Sequence, residues 1–218
     1  MSSAVETKLY LISPPTVDLG AFAEALAEAL SAGPVACVRL RLSTGDTAEW
    51  TAAVKKLLPL CHAQDVPLLV SDHYKLAAEL GLDGVHLETN GSALKDAREA
   101  MDRDAIIGVS CGVSRHWGMI AGERAADYVS FGPITADSLL QTGELADKSL
   151  FEWWQTMIEI PVVAEGGVTE DGAAALAGIA DFVAVSDGVW SAPDGPAAAV
   201  RRFLKALEEA TTAHSHKA

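Results

Sequence analysis

Short apolar segments rich in β-branched residues alternate along the chain with longer segments in which apolar residues recur at helical spacing. The short segments predict eight strands, at Lys8–Ser13, Val35–Leu42, Pro67–Asp72, Gly84–Glu88, Ala105–Cys111, Tyr128–Ile134, Pro161–Gly166 and Phe182–Asp187. Each strand is followed by a predicted helix, and these helices are Asp18–Ser31, Asp46–His62, Tyr74–Leu80, Ser92–Arg103, Ser114–Ala125, Lys148–Ile158, Glu170–Ala177 and Pro196–Ala210. This alternation is typical of βαβ units, whose strands form a parallel sheet.

Eight such units in 218 residues predict an α/β fold of the single-domain (β/α)8 type, a TIM barrel. A doubly wound open sheet usually has fewer strands. No linker and no change in composition divides the chain, so we expect one domain over residues 1–218. Its core is expected at about residues 8–210, followed by a short flexible tail after Ala210.

The charge and cysteine content narrow the classes of partner. The chain has 16 Lys and Arg residues against 30 Asp and Glu residues, and this net charge of −14 repels a phosphate backbone, so we expect no nucleic-acid binding. No apolar run reaches the ~18 residues that a membrane span requires. The 3 cysteines include no C-x-x-C pair, which fits a reducing cytoplasm. We expect a cytoplasmic protein without membrane contact, and the pattern is compatible with a homo-oligomer.

Polar residues close several predicted strands, at the end of the barrel where catalytic residues of this fold lie. Arg39 and Arg41 share one face of the second strand, because side chains alternate along a strand. Glu165 is unexpected in an apolar strand, and it is either an inward-facing carboxylate at the barrel mouth or a partner of Arg39 or Arg41. Further polar strand ends are Ser71 and Asp72, His86 and Glu88, Ser110, and Ser186. We expect these residues to meet in one site.

Six segments of the chain match the segments of a known family in the same order. They are Val38–Arg41, Pro67–Asp72, Gly81–Leu87, Ile107–Ser110, Ala126–Ile134 and Ile160–Val168. On these segments the chain resembles the thiamine-phosphate synthases, which are (β/α)8 enzymes, and their relative the thiazole tautomerase. No single segment is diagnostic, so the resemblance rests on their joint order.

The resemblance implies a transferase of thiamine biosynthesis. Its reaction expels pyrophosphate from hydroxymethylpyrimidine diphosphate and joins the pyrimidine to the nitrogen of thiazole phosphate. Such a reaction calls for Mg²⁺ held by carboxylates, and for cationic or N–H donors around the leaving group. The implied partner is therefore a phosphorylated small-molecule substrate, and the implied cofactor is Mg²⁺.

The resemblance also implies roles for individual residues. Arg41 matches the family's pyrophosphate-binding arginine and Ser110 matches a residue near the pyrophosphate, so both are expected in the catalytic site. Asp72 matches a magnesium-binding aspartate, and Gly166 and Gly167 match the turn that meets the thiazole phosphate. The residues expected to bind substrate or phosphate are Arg39, Arg41, Ser71, His86, Gly166, Gly167 and Ser186.

Several positions depart from the family pattern. Arg39 stands where the family has glutamine, and Ser43 stands where it has lysine. The family's second metal carboxylate falls on Gly91, so we expect Glu88 to hold Mg²⁺ together with Asp72.

Two further departures affect the phosphate sites. A lysine-bearing loop after the sixth strand becomes Asp137-Ser138-Leu139-Leu140, and a serine beyond the eighth strand becomes Asp187. The second change leaves Ser186 to contact the phosphate. Together the lost cations predict slow catalysis.

Simpler structural roles remain open for the same residues. Arg39 and Arg41 could pair with carboxylates of this acidic chain, Asp72 could cap the helix that begins at Tyr74, and His86 could be a hydrogen-bonded barrel residue. Each of these roles would leave the residue outside the catalytic site.

Three functions therefore remain. The first is the transferase. The second is an isomerase like the thiazole tautomerase, although its expected histidine after the sixth strand is replaced by Gly132-Pro133-Ile134, which leaves His73 or His86 as the acid or base. The third is a catalytically weak or silent barrel that binds a small phosphorylated ligand.

Overall fold

A computed structural model of the chain describes residues 5–136 and 143–215. In chain order its elements are β1 (Lys8–Ile12), α1 (Leu19–Ser31), β2 (Cys37–Leu40), α2 (Thr47–His62), β3 (Leu68–Ser71), α3 (Tyr74–Leu80), β4 (Gly84–Leu87), α4 (Leu94–Ala100), β5 (Ile106–Ser110), α5 (Arg115–Glu123), β6 (Tyr128–Phe131), α6 (Lys148–Met157), β7 (Val162–Ala164), α7 (Glu170–Leu176), β8 (Phe182–Val185), α8 (Asp187–Trp190) and α9 (Pro196–Ser215). Every predicted strand and helix is present, and each of the eight strands is shorter than predicted.

Each strand pairs in parallel with the next strand of the chain, and β8 pairs with β1. Tyr10 of β1, for example, is in register with Cys37 of β2 on one side and with Ala184 of β8 on the other. The sheet is therefore a closed eight-stranded barrel, and the predicted (β/α)8 fold is confirmed. Closure pairs the two strands that would otherwise be edges of an open sheet.

Two helical segments differ from the sequence prediction. The short helix α8 follows β8 directly, and the sequence did not indicate it because four residues are too few to show helical periodicity. Helix α9 continues to Ser215, whereas we expected it to end at Ala210, since no Gly or Pro interrupts the added residues. Within the described segments, no helix combines the length and the apolar character needed to cross a membrane.

Alternation along the strands produces two layers of side chains. Val38 and Leu40 of β2 point outward and pack in the large core beneath the helices, whereas Cys37 belongs to the smaller cluster inside the barrel. Arg39 and Arg41 follow Cys37 at a spacing of two, so they continue the inward row towards the barrel mouth. The same parity applies to Ser71, His86, Ser110, Ser130, Glu165 and Ser186.

One glycine makes room for an aromatic ring inside the barrel. The ring of Tyr128 from β6 lies against Gly108 of β5, where a Cβ atom would overlap the ring. In this position the Tyr128 hydroxyl lies 3.0 Å from the Tyr10 hydroxyl and 2.9 Å from Nδ1 of His86. The absence of a side chain at Gly108 therefore lets the hydrogen-bonded side chains of Tyr10, His86 and Tyr128 lie together beneath the barrel mouth.

We expect Gly108→Ala to lower the free energy of unfolding by about 1–3 kcal/mol, because the added methyl group overpacks the interior against Tyr128. Urea denaturation measures the change. Gly45→Ala is the matched control, since a Cβ at Gly45 meets open space, and it should change stability by less than about 0.5 kcal/mol. Equal effects of the two substitutions would contradict the packing argument.

Candidate active site at the carboxyl end of the barrel

A cavity of about 600 Å³ opens at the carboxyl ends of β1, β2, β7 and β8. Its lining includes Ile12, Arg41, Thr135, Glu165, Gly166, Gly167, Ser186 and Asp187. A volume of this size accommodates a small organic ligand. Four of the residues predicted to bind substrate or phosphate thus share one cavity: Arg41, Gly166, Gly167 and Ser186.

The turn after β7 forms one wall of this cavity. Gly166 and Gly167 adopt φ angles of +88° and +77°, in the left-handed region that favours glycine. The Gly166 carbonyl accepts hydrogen bonds from the backbone N–H groups of Ile134 and Thr135, at 2.7 and 3.2 Å, which fixes the turn against the loop after β6. Because neither glycine has a side chain, a ligand in the cavity has close access to the backbone of the turn.

A buried ion pair lies below the cavity. Arg39 donates from Nη2 to Oε2 of Glu165 at 2.6 Å, and the Ser130 hydroxyl donates to Oε1 of the same carboxylate at 2.5 Å. Arg39 and Glu165 are each only 2% exposed. The sequence left open an inward-facing carboxylate at the mouth or a partner of Arg39 or Arg41, and the geometry shows a partner of Arg39 that also borders the cavity.

The ion pair sets the protonation of its neighbours. Burial opposes the charge of Glu165, but the Arg39 guanidinium and the hydrogen bonds from Ser130 and Arg39 outweigh burial and lower the pKa of Glu165 to about 2. Burial and then the positive charge of Arg39 lower the pKa of His86 well below its usual value. His86 is therefore neutral near pH 7, and the 3.7 Å between its Nε2 and Oε1 of Glu165 is not an ion pair.

A row of hydrogen-bonded side chains lies beside this ion pair inside the barrel. His86 is fully buried, and its Nδ1 shares a hydrogen bond with the Tyr128 hydroxyl, which in turn meets the Tyr10 hydroxyl. Sequence analysis did not single out Tyr10, Tyr128 or Ser130. The available signal was their inward parity on β1 and β6, which becomes informative only once the strand registers are known.

A second cluster lies at the rim, around Arg41. Its Nε is 3.1 Å from Oε1 of Glu88, and the Ser71 hydroxyl donates to the same oxygen at 2.9 Å. The side chains of Arg41 and Glu88 are 25% and 29% exposed, so a ligand can reach both. Arg41, Ser71 and Glu88, which the sequence predicted to lie near a diphosphate and a metal, are therefore in contact.

Asp72 joins the rim cluster by an unusual backbone conformation. Its φ is +56°, and its Oδ1 accepts a hydrogen bond from the backbone N–H of Glu88 at 2.8 Å. The side chain does not cap α3, because His73 precedes that helix and makes no side-chain capping bond. Burial raises the pKa of Asp72 above its usual value. One oxygen of this carboxylate is thus bonded to the end of β4, while Asp72 also lines a separate pocket beside α3.

The oxygens of Asp72 and Glu88 fit the coordination of Mg²⁺. This cation is usually held by one or two carboxylates together with waters and substrate phosphates. Among the described residues, no group of three or more His, Cys, Asp or Glu side chains could hold a metal alone. Asp72 and Glu88, joined by the bond between Asp72 Oδ1 and the Glu88 backbone, offer carboxylate oxygens of the type that Mg²⁺ takes.

Other predicted residues lie apart from the cavity or outside the described segments. Ser110 ends β5, half-buried, in register with Ser130 of β6, and its expected place near a pyrophosphate stays a prediction. His73 packs against the Trp50 ring, with the ring centroids 4.5 Å apart. The Asp137-Ser138-Leu139-Leu140 segment lies outside the described residues.

The closed parallel barrel has a glycine turn after β7 and, at the same end, an arginine paired with the Glu88 carboxylate. These features define a (β/α)8 enzyme class with its site at the strand carboxyl ends. A family model described as thiamine monophosphate synthase matches residues 9–189. The chain belongs to this family, and the resemblance seen in the sequence is confirmed.

Individual relatives agree with the family model. The thiamine-phosphate synthase of Rhodospirillum centenum is 46% identical over 204 residues, which cover 93% of this chain and 98% of the relative. The thiamine-phosphate synthase of Hyphomonas neptunium is 44% identical over 212 residues, covering 93% and 94%. A solved structure of thiamine phosphate pyrophosphorylase from Pyrococcus furiosus superposes with a TM-score of 0.80 at 27% identity, over 94% of this chain and 97% of that chain.

We expect Arg39→Met to lower the free energy of unfolding by about 3–5 kcal/mol, because it leaves the Glu165 carboxylate buried without its cation. Adding Glu165→Leu to this variant should recover most of the loss, since the double variant buries no unpaired charge. Chemical denaturation measures the free energy of unfolding of the unmodified protein, of Arg39→Met and of the double variant. Arg202→Met removes two much more exposed ion pairs, with Glu170 and with Asp194, and should cost far less stability than Arg39→Met. Additive losses in the double variant would contradict the pairing.

The low pKa of Glu165 also predicts a pH dependence of stability. Because this pKa is about 2 in the folded protein and 4.5 ordinarily, the stabilisation is complete above about pH 4.5 and is lost as the pH falls towards 2. Denaturation between pH 5 and pH 3 should therefore show a steeper loss of stability in the unmodified protein than in the Arg39→Met/Glu165→Leu variant. An equal loss of stability with falling pH in the two proteins would contradict the assignment of this pH dependence to Glu165.

Proposed function

We propose that this chain is a transferase of the thiamine-phosphate synthase type, which joins hydroxymethylpyrimidine diphosphate to thiazole phosphate and releases pyrophosphate. The observation that carries the proposal is the contact of Arg41 with Glu88, to whose backbone Asp72 is bonded, next to a cavity lined by Arg41 and the Gly166–Gly167 turn. A reaction between two phosphorylated substrates requires two anion sites near each other, and these features supply one candidate for each.

The diphosphate belongs, in this proposal, at the rim cluster. Arg41 offers a planar set of N–H donors that suits phosphate oxygens, and its Nε lies 3.1 Å from Oε1 of Glu88. Asp72 and Glu88 would hold Mg²⁺. When bound, the cation neutralises charge that develops on the departing pyrophosphate. Arg41 contributes a second fixed positive charge to the same leaving group.

The thiazole phosphate belongs at the turn after β7. The left-handed backbone of Gly166 and Gly167 leaves their N–H groups free of side-chain cover, and Ser186 lines the same cavity at the end of β8. Loops at the ends of the last two strands frequently hold phosphate in this fold. Asp187 also lines the cavity, and its negative charge leaves Ser186 as the better phosphate contact.

Arg39 and His86 have, in this proposal, indirect roles. Both side chains are almost completely buried, and Arg39 is occupied by Glu165. We infer that they hold the floor of the site and leave phosphate binding to Arg41, the glycine turn and Ser186. This differs from the direct contacts that the sequence suggested for them.

The tautomerase alternative lacks a suitable histidine in the described part of the cavity. His86 is buried below it, and burial together with Arg39 keeps His86 neutral by lowering its pKa. His73 packs against Trp50 beside α3 and does not line the cavity. The geometry therefore favours the transferase, whose chemistry uses the cation and carboxylates that are present.

The direct test incubates the protein with hydroxymethylpyrimidine diphosphate, thiazole phosphate and Mg²⁺ and measures thiamine phosphate. We expect slow but measurable turnover, because Ser43 replaces a cation of the family site. Arg41→Ala should lower kcat/KM by about 10²–10³-fold, since it removes a fixed charge from the leaving group.

The control is Arg201→Ala, which removes the same charge from an exposed position on α9 and should leave turnover unchanged. Ser43→Lys restores the missing cation and should raise the rate. Absence of product from both the folded parent and Ser43→Lys would contradict the transferase and favour the silent phosphate-binding barrel.

A further inference from the structure

The ion pair between Arg39 and Glu165 crosses the interior of the barrel. Arg39 belongs to β2, which pairs with β1 and β3, whereas Glu165 directly follows β7, which pairs with β6 and β8. In the described barrel, β2 and β7 are therefore not hydrogen-bonded neighbours. The contact between Nη2 of Arg39 and Oε2 of Glu165, at 2.6 Å, joins these two walls through side chains.

Each end of the pair lies close in sequence to part of the proposed substrate site. Arg41 is two residues beyond Arg39, and its backbone N–H donates to the Ser13 hydroxyl at 2.8 Å. Gly166 follows Glu165, and its carbonyl accepts hydrogen bonds from the loop after β6. Both Arg41 and Gly166 line the cavity. A shift of Arg39 relative to Glu165 therefore changes the distance between the two proposed anion sites.

The carboxylate of Glu165 is held at both of its oxygens. Arg39 donates to Oε2, and the Ser130 hydroxyl on β6 donates to Oε1 at 2.5 Å. The backbone N–H of Glu165 also donates to the Phe131 carbonyl at 3.0 Å. Two donors on a charged acceptor favour one orientation of the group, whereas an apolar contact has no preferred direction. The pair can thus define a distance that apolar packing of similar volume leaves loose.

We propose that this cross-barrel ion pair sets the distance between Arg41 and the Gly166–Gly167 turn and so aligns the two substrates. Arg39 and Glu165 are then positioning residues for the reaction, and Arg39 acts without lining the cavity. The inference rests on the proposed function, because it concerns the two substrates assigned there. Reacting groups must lie about 3–3.5 Å apart, and a misplacement of about 1 Å can lower a rate about 10²-fold.

A merely structural pair predicts a different result. Its role would be to keep two buried charges compensated, so an apolar pair that restores stability would restore the rate as well. A positioning pair loses its direction when it becomes apolar, and the rate stays low although the protein is stable. Each substrate keeps its own contacts in such a variant. The loss should therefore fall on kcat, with KM little changed.

The experiment measures kcat and KM for thiamine phosphate formation by the parent and by the Arg39→Met/Glu165→Leu variant. We expect kcat to be about 10²-fold lower in the variant, with both KM values nearly unchanged. Tyr10→Phe is the matched control, because it removes another buried contact inside the barrel, with the Tyr128 hydroxyl, and leaves the ion pair intact. Its kcat should equal that of the parent. Unfolding curves verify that each compared protein is folded.

Hydrogen exchange reports on the turn without any turnover. The backbone N–H groups of Ile134 and Thr135 donate to the Gly166 carbonyl, so their exchange rates measure how firmly the turn is held. In the double variant both amides should exchange about fivefold faster than in the parent. The Lys8 amide donates to the Asp181 carbonyl at the amino end of the barrel and should keep its exchange rate.

The positioning role is overturned when a stable double variant keeps either the kcat of the parent or its exchange rates at Ile134 and Thr135. Absence of product from the parent overturns the proposed function instead, and the exchange rates then decide the positioning role alone.

Ser130→Ala is the second variant, for the case in which the double variant does not fold. It keeps the ion pair but removes the donor to Oε1 of Glu165. Its kcat should fall about fivefold with KM unchanged, since one of the two hydrogen bonds that orient the carboxylate is lost. An unchanged kcat in this variant also overturns the positioning role.

Discussion

The site of this barrel is built around one buried interaction, the ion pair between Arg39 and Glu165. Removing two charges from water is costly, and the pair is tolerated because the guanidinium is 2.6 Å from one carboxylate oxygen and Ser130 donates to the other. The contact joins β2 to the residue after β7, with β6 contributing the third member. Three strands that are distant in sequence thus converge below the mouth.

This pair also positions the turn that follows it. Glu165 immediately precedes Gly166, its backbone N–H donates to Phe131 of β6, and its carbonyl packs so closely on Gly132 that a Cβ there would overlap it. Because both the side chain and the backbone of Glu165 are fixed, the glycine turn has a defined starting point. The buried floor therefore supports the cavity wall although Arg39 does not line the cavity.

Arg39 of β2 and Arg41, which directly follows this strand, show that the depth of a charged side chain decides its role. Arg39 and Arg41 have the same residue type and the same inward parity, but Arg39 is 2% exposed and Arg41 has a side chain 25% exposed. The deeper guanidinium is committed to a buried partner, whose loss would be strongly destabilising. The outer guanidinium is held by a partly solvated carboxylate, an interaction that a ligand can displace or use at small cost.

The sequence by itself determined the eightfold alternation, the parity that turns Arg39, Arg41, His86 and Glu165 inward, and the family, because periodicity and motif order are local properties of the chain. Only the tertiary structure decided the charge partners. Arg39 meets Glu165 across 126 positions of sequence, and Asp72 turns to Glu88 through a left-handed backbone. Such contacts depend on the registers of separate strands and on the depth of each side chain in the closed barrel, which no local pattern encodes.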